Sequence, residues 1–191
     1  MRAFFCIPIK PDTASSIGRI ARDVRERSGM RASWVRAQNY HVTLRFLGEI
    51  DPLLTVELER IGRRAAEPIE PFPLSLDRLG AFPSPENARV LWIGGDAPPA
   101  FHGLASSLRH ELGRLGFPAE RDDAVAHVTL ARIKGRPDPD LPRLIDECRP
   151  ARGLPVSADR LILMESVLTP DGSAYTPLFA VRLAGGKADA G

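Results

Sequence analysis

Cysteine, lysine and histidine are all scarce in this 191-residue chain. There are two cysteines and four histidines, and only Lys10, Lys134 and Lys187 among 26 basic residues are lysine. Cys6 and Cys148 form neither a close pair nor a metal-ligand spacing. That argues against a disulfide framework and makes a reducing cytoplasm the expected setting. No apolar run approaches the roughly 18 residues needed to cross a bilayer, so no membrane partner is expected. The apolar opening Phe4-Phe5-Cys6-Ile7 ends at Pro8, with Lys10 and Asp12 close behind, too short a stretch for a signal peptide. Charge of one sign is also lacking, since 26 Lys and Arg against 24 Asp and Glu leave +2. A protein that coats long stretches of nucleic acid needs a strongly basic face. Recognition of a single phosphate or a nucleic-acid end is still allowed. The preference for arginine suits bidentate phosphate contacts, although genomic base composition produces the same skew. No Gly-rich phosphate loop or dinucleotide fingerprint is present.

What is there is an ordinary globular composition, 43% hydrophobic and 26% charged. The length suits one domain or two small lobes. Within it the chain repeats itself. His41-Val42-Thr43-Leu44 recurs as His127-Val128-Thr129-Leu130, 86 residues later. With so few histidines, an accidental match of this kind is expected only about 0.002 times.

The surrounding elements repeat at nearly the same offset. In the first half, a strand is expected near 2–9. A helix near 13–28 follows, with Ile17, Ile20, Ala21 and Val24 on one face and Gly29 as its stop. The His41 strand runs to Leu47 and stops at Gly48. Asp51-Pro52 starts a helix near 52–66 with Leu54, Leu58, Ile61 and Ala65 in one stripe. A strand near 72–80 closes the half. In the second half, a strand at 88–93 ends at Gly94-Gly95. A helix near 99–116 buries Phe101, Leu104, Ala105, Leu108, Leu112 and Leu115. Then come the His127 strand, a helix near 139–149 with Leu141, Leu144, Ile145 and Cys148, and strands near 156–165 and 174–183. Ser75-Leu76-Asp77-Arg78-Leu79 is echoed by Ser157-Ala158-Asp159-Arg160-Leu161. Each half therefore reads βαβαβ, and two copies suggest two lobes about a pseudo-twofold axis. The expected domain is 1–183, with lobes of about 1–82 and 86–183 whose strands are open to exchange, and a disordered tail at 184–191.

On a strand, His and Thr of His-Val-Thr-Leu share one face, about 7 Å apart, while Val and Leu point into the core. Histidine titrates near neutrality, so two of them can act as general acid and general base. Thr43 and Thr129 hydroxyls can donate to phosphate oxygens. In-line displacement at phosphorus needs base and acid on opposite sides, which a twofold pair of such strands supplies. No Cys or carboxylate sits at ligand spacing beside either motif, so no metal and no other cofactor is expected. His102 and His110 lie off the apolar stripe of their helix and read as solvated. Strict alternation puts Arg45 on the face of His41, and puts Arg132, five residues after His127, on the opposite face unless a bulge intervenes.

At these residues the chain resembles the two-histidine (2H) phosphoesterases. Within them it resembles the bacterial and archaeal RNA 2′,3′-cyclic phosphodiesterases, also known as 2′-5′ RNA ligases. The likeness runs through Phe4-Phe5-Cys6-Ile7-Pro8, His41 to Gly48, Leu79-Gly80-Ala81-Phe82, Arg89-Val90-Leu91-Trp92, His127 to Arg132, and Glu165-Ser166-Val167-Leu168 with Tyr175. It implies a bilobal α+β fold with a cleft between antiparallel sheets. It also implies His41 and His127 as the acid–base pair, Thr43 and Thr129 as phosphate ligands, Arg132 as a further phosphate ligand and Phe46 as a substrate contact. The expected reaction is metal-independent hydrolysis of a terminal 2′,3′-cyclic phosphate to a 2′-phosphate, reversible to 2′-5′ ligation. The partners would be RNA ends or nucleotides carrying that cyclic phosphate, met by a monomer. A phosphodiesterase for small cyclic nucleotides and a non-catalytic nucleotide-binding module are the alternatives. In this branch Pro usually precedes the second motif, where this chain has Ala126.

Overall fold

The repeated apolar stretches become strands, and the 3.6-period stretches between them become helices. The computed structural model describes residues 1–118, 125–169 and 172–185. The end of the expected tail, from 186 on, lies outside these. In chain order the first half gives β1 (Arg2–Pro8), α1 (Pro11–Arg27), β2 (Ala32–Trp34), β3 (His41–Glu49), α2 (Thr55–Ala66), β4 (Phe72–Leu76) and β5 (Arg78–Phe82). The second half gives β6 (Val90–Asp96), α3 (Pro99–Gly113), β7 (Val125–Ile133), α4 (Leu141–Cys148), β8 (Leu154–Ala158), β9 (Arg160–Thr169) and β10 (Gly172–Arg182).

The helices follow their apolar stripes. α1 starts on Pro11 and buries Ala14, Ile17, Ala21 and Val24, the i, i+3, i+7 spacing of one helix face. Asp51 accepts a hydrogen bond from Leu53 N at 2.9 Å. It thereby caps a 3₁₀ turn over Pro52–Leu54 that leads into α2, a turn expected instead to be the first turn of the helix. α3 ends at Gly113, before its expected limit. Leu115 lies in the turn beyond and is exposed. No helix among the described residues is long and apolar enough to cross a membrane.

Each expected closing strand is two strands. Alternating burial holds through β4 and β8 and fails at Asp77-Arg78 and Asp159-Arg160, where two successive residues escape burial. β4 and β8 leave the main sheet and pair with each other as a separate two-stranded sheet. The repeated Asp-Arg is thus the point where each chain half changes sheet. Asp77 N donates to Gly94 O at 2.9 Å across that break.

The remaining strands lie in the order β10-β9-β1-β3-β7-β6-β5, with β2 on the outer part of β7, and the pairings among them are antiparallel. The closing strand of each half pairs with the opening strand of the other: β5 with β6, and β9 with β1. The registers match as well. Phe4 faces Met164 in one lobe, and its counterpart Val90 faces Phe82 in the other. On the axis, residues pair with their own counterparts, Val42 with Val128 and Leu74 with Val156. Behind the sheet α2 packs on α3, β9 and β10, while α1 packs on α4 and β8. One continuous core runs through both halves.

Gly94 and Gly95 do not end β6, which continues to Asp96. β4 crosses so closely over Gly95 that a Cβ there would enter the Ser75 carbonyl oxygen. Gly95→Ala is therefore expected to destabilise the fold by about 1–3 kcal/mol, because backbone cannot yield as a side chain can. A urea titration checks this; an unchanged midpoint would mean the crossing is not tight.

Candidate active site

β3 and β7 carry the two His-Val-Thr-Leu motifs. Val42 and Val128 are fully buried, and His41, Thr43, His127 and Thr129 are partly open on the other face. The antiparallel pairing of Val42 with Val128 directs His41 toward Thr129 and Thr43 toward His127. Each histidine thus faces the threonine of the other motif.

At the last residue of the motif both strands bulge. Phe5 pairs with Arg45 and Cys6 with Thr43, leaving Leu44 unpaired in β3. Leu91 pairs with Ala131 and Trp92 with Thr129, leaving Leu130 unpaired in β7. An extra residue reverses the side to which everything after it points. Phe46 and Arg132 consequently join the histidine face, and strict alternation fails for Arg132. It fails for Arg45 too, which is buried at 6% exposure on the core side and donates to Pro118 O. The β7 bulge is held from outside, since Val35 N donates to Leu130 O at 2.8 Å.

The histidine rings are fixed alike in both halves. His41 Nδ1 lies 2.7 Å from Asn39 O, and His127 Nδ1 lies 3.2 Å from Val125 O. A carbonyl oxygen only accepts, so Nδ1 carries the proton in both rings and Nε2 is the nitrogen left to exchange one. Aromatic rings complete each seat. Phe4 and Tyr175 flank His41 at centroid distances of 4.7 and 5.2 Å. Phe82 and Trp92 flank His127 at 5.1 and 6.1 Å. Burial among these rings pushes His41 down to about 4; the Asn39 carbonyl opposes this, and positive charge on His127 and Arg132 adds to it. Ala126 sits buried in β7 opposite Gly95, so the strand is regular where the related pattern has Pro.

A cavity of about 230 Å³ opens on this face. His41, Thr43, Phe46, Thr129 and Arg132 line it, while His127 lies beside it, on the same sheet face. Ser33, Trp34, Val35, Arg36 and Asn39 also line it, delivered by β2 and the segment after it, as do Leu168, Gly172, Ser173 and Tyr175 from β9 and β10. Asn39 Nδ2 donates to Ser173 O at 2.8 Å, tying those two walls together. Apart from Leu168 and Tyr175, these further lining residues were not read from the sequence. The cue was the rarity of Trp, which number two: Trp34 lines the cavity and Trp92 backs His127. His102 and His110 lie elsewhere, on α3. Among the described residues no group of three or more His, Cys, Asp or Glu gathers as a metal would require.

Two sheet halves meet on paired histidines, with threonines and an arginine on the same face, an arrangement suited to acid–base chemistry at a phosphate. The family model for LigT-like phosphoesterases matches residues 7–92 and 95–175. The chain belongs to that family. It is 36% identical to the RNA 2′,3′-cyclic phosphodiesterase of Aeropyrum pernix over 173 residues, 88% of this chain and 97% of that protein. It is 32% identical to the enzyme of the same name from Methanothermobacter thermautotrophicus over 184 residues, 96% of this chain and 99% of that one. Among solved structures it resembles TT0787 of Thermus thermophilus, with a TM-score of 0.82 and 29% identity over 97% of this chain and 99% of that one. It also resembles Escherichia coli LigT complexed with 3′-AMP, with a TM-score of 0.75 and 27% identity over 95% and 97%.

The low pKa of His41 has a defined consequence for stability. Its folded value of about 4 lies below the ordinary 6.5, so between those values the unfolded chain holds a proton that the folded chain lacks. Stability from this group is therefore full above pH 6.5 and falls as the pH drops toward 4, by on the order of 2–3 kcal/mol. Two-dimensional NMR should place the His41 ring transition near pH 4 and move it upward when inorganic phosphate fills the cleft. A transition near 6.5 in the free protein would show that the ring is not desolvated.

Proposed function

We propose that this chain hydrolyses the 2′,3′-cyclic phosphate at RNA ends to a 2′-phosphate, with His41 and His127 as the acid–base pair. The observation that carries the reading is the matched seating of the two histidines on adjoining strands, each facing the other motif's threonine. One imidazole takes a proton from water as its oxygen attacks phosphorus. The P–O3′ bond breaks, and the other imidazolium gives its proton to the departing 3′-oxygen. Thr43 and Thr129 donate to the non-bridging oxygens, and Arg132 neutralises charge on the phosphoryl group. Phe46, half exposed at the cavity wall, offers a face to a base.

The acid and base roles exchange when the reaction runs backwards. A ribose 5′-hydroxyl attacking phosphorus in place of water, with the same break of P–O3′, would give a 2′-5′ bond, and hydrolysis dominates in water. None of these proton transfers requires a metal. The names of the relatives support a cyclic-phosphate substrate on RNA, and the 3′-AMP complex of the Escherichia coli protein supports a nucleotide ligand. We read residues 1–183 as one catalytic domain of two lobes, acting as a cytoplasmic monomer.

His41→Ala and His127→Ala are each expected to lower kcat by about 10²–10⁴-fold on an oligonucleotide 2′,3′-cyclic phosphate. Phosphorus NMR should identify the product as the 2′-phosphate, and EDTA should leave the rate unchanged. Near wild-type turnover in either variant, or a 3′-phosphate product, would overturn the assignment.

A further inference from the structure

The cavity at His41 does not end there. A second chamber of about 320 Å³ adjoins it, and both are lined by Phe46, Arg132, Leu168, Ser173 and Tyr175. Beyond these, the second chamber is walled by Arg2, Phe4 and Ser166 among others. The two chambers together present Arg2, Arg36 and Arg132 and, among the described residues, no carboxylate. In a chain whose net charge is only +2, that is a local concentration of one sign, which draws anions. Aromatic side chains and hydroxyls line the same walls as the arginines, the surface chemistry that suits a single nucleic-acid strand.

Arg2 has the geometry to meet a phosphate. It lies two residues from Phe4 on β1, about 7 Å along the same strand face, and Phe4 rests on His41 at 4.7 Å. Arg2 therefore lies one same-face step further from the histidine than Phe4. Its side chain makes no hydrogen bond or ion pair with the described residues. Its cross-strand neighbours are Ser166 and Glu49. The Glu49 carboxylate lies 3.5 Å from the Met1 amino group, with its side chain 75% exposed.

The arrangement is one-sided. The counterpart of Arg2 in the other half is Ala88, which is fully buried, and the counterpart of Phe46 is Arg132. A bound strand consequently has a continuation toward β1 that the pseudo-twofold axis does not repeat toward β6.

We infer that the second chamber holds the nucleotide preceding the cyclic phosphate, with Arg2 paired to the phosphodiester that joins it to the terminal nucleoside. The inference rests on the proposed cyclic-phosphate hydrolysis and adds to it that oligonucleotide ends are preferred over mononucleotides. Arg2 is then a specificity residue that touches substrate two positions before Phe4, the aromatic support of His41.

The test compares adenosine 2′,3′-cyclic phosphate with the adenylyl dinucleotide ending in the same cyclic phosphate, using the full chain and Arg2→Ala and Arg2→Lys. Wild type is expected to show a kcat/KM about tenfold higher on the dinucleotide, the effect of one charge-assisted phosphate contact. Arg2→Ala should bring that ratio to about one, and Arg2→Lys should restore part of it. The salt dependence of log kcat/KM on the dinucleotide should fall by about one in slope for Arg2→Ala. A wild-type ratio near one, or an Arg2→Ala variant that keeps the wild-type ratio, would overturn the second chamber while leaving the hydrolysis reading intact. Turnover of neither substrate by wild type would overturn both.

Discussion

Val42 opposite Val128 is the cross-strand pair through which the two halves of the main sheet meet. Each residue is the other's counterpart in the repeat, so the pair lies on the pseudo-twofold axis. Both side chains are fully buried. Their burial stabilises the junction and also settles the geometry of the other face, because side chains alternate along a strand. With valine held in the core, histidine and threonine on either side must face the cleft. The antiparallel sense then sets each histidine against the opposite threonine. The second self-pair, Leu74 with Val156, secures the same axis in the small sheet. A one-residue slip of either strand at the valine pair would turn its imidazole into the core, where a titrating group is costly.

The twofold symmetry is broken inside the cleft. Both strands bulge at the leucine of the motif, and both bulges rotate the second residue beyond it onto the histidine face. In β3 that residue is Phe46 and in β7 it is Arg132. One side of the cleft therefore offers an aromatic face and the other a guanidinium. The aromatic seats of the histidines differ too, with Tyr175 from β10 serving His41 and Phe82 from β5 serving His127. A duplicated backbone thus supplies the paired histidines, and unlike side chains at equivalent positions make the two sides of the cleft different.

Much of this was legible in the residues. The helices followed their apolar stripes because burial of one face is what stabilises short helices in water. His41, Thr43, His127 and Thr129 were legible because a repeated tetrapeptide anchored on a rare residue stands out, and a strand shows which side chains share a face. The strand errors share one cause. The expected strand over 72–80, the placement of Arg45 and the strand-face reading of Arg132 all assumed uninterrupted alternation. Each fails where a strand changes sheet or takes in an extra residue. Leu115 was placed in a buried stripe because its spacing was right, but α3 ends before it.

The repeat, the face shared by histidine and threonine, and the amphipathic helices depend on contacts between near neighbours in the chain, so the sequence by itself determined them. Which strands adjoin depended on packing across the whole molecule. β9 pairing with β1, β2 lying on β7, and Ser33 to Arg36 and Asn39 lining the cleft with Ser173 and Tyr175 all join residues far apart in the chain. The bulges at Leu44 and Leu130 belong with these. An unpaired residue is defined only against the strand beside it, and that partner exists only once the tertiary structure has formed.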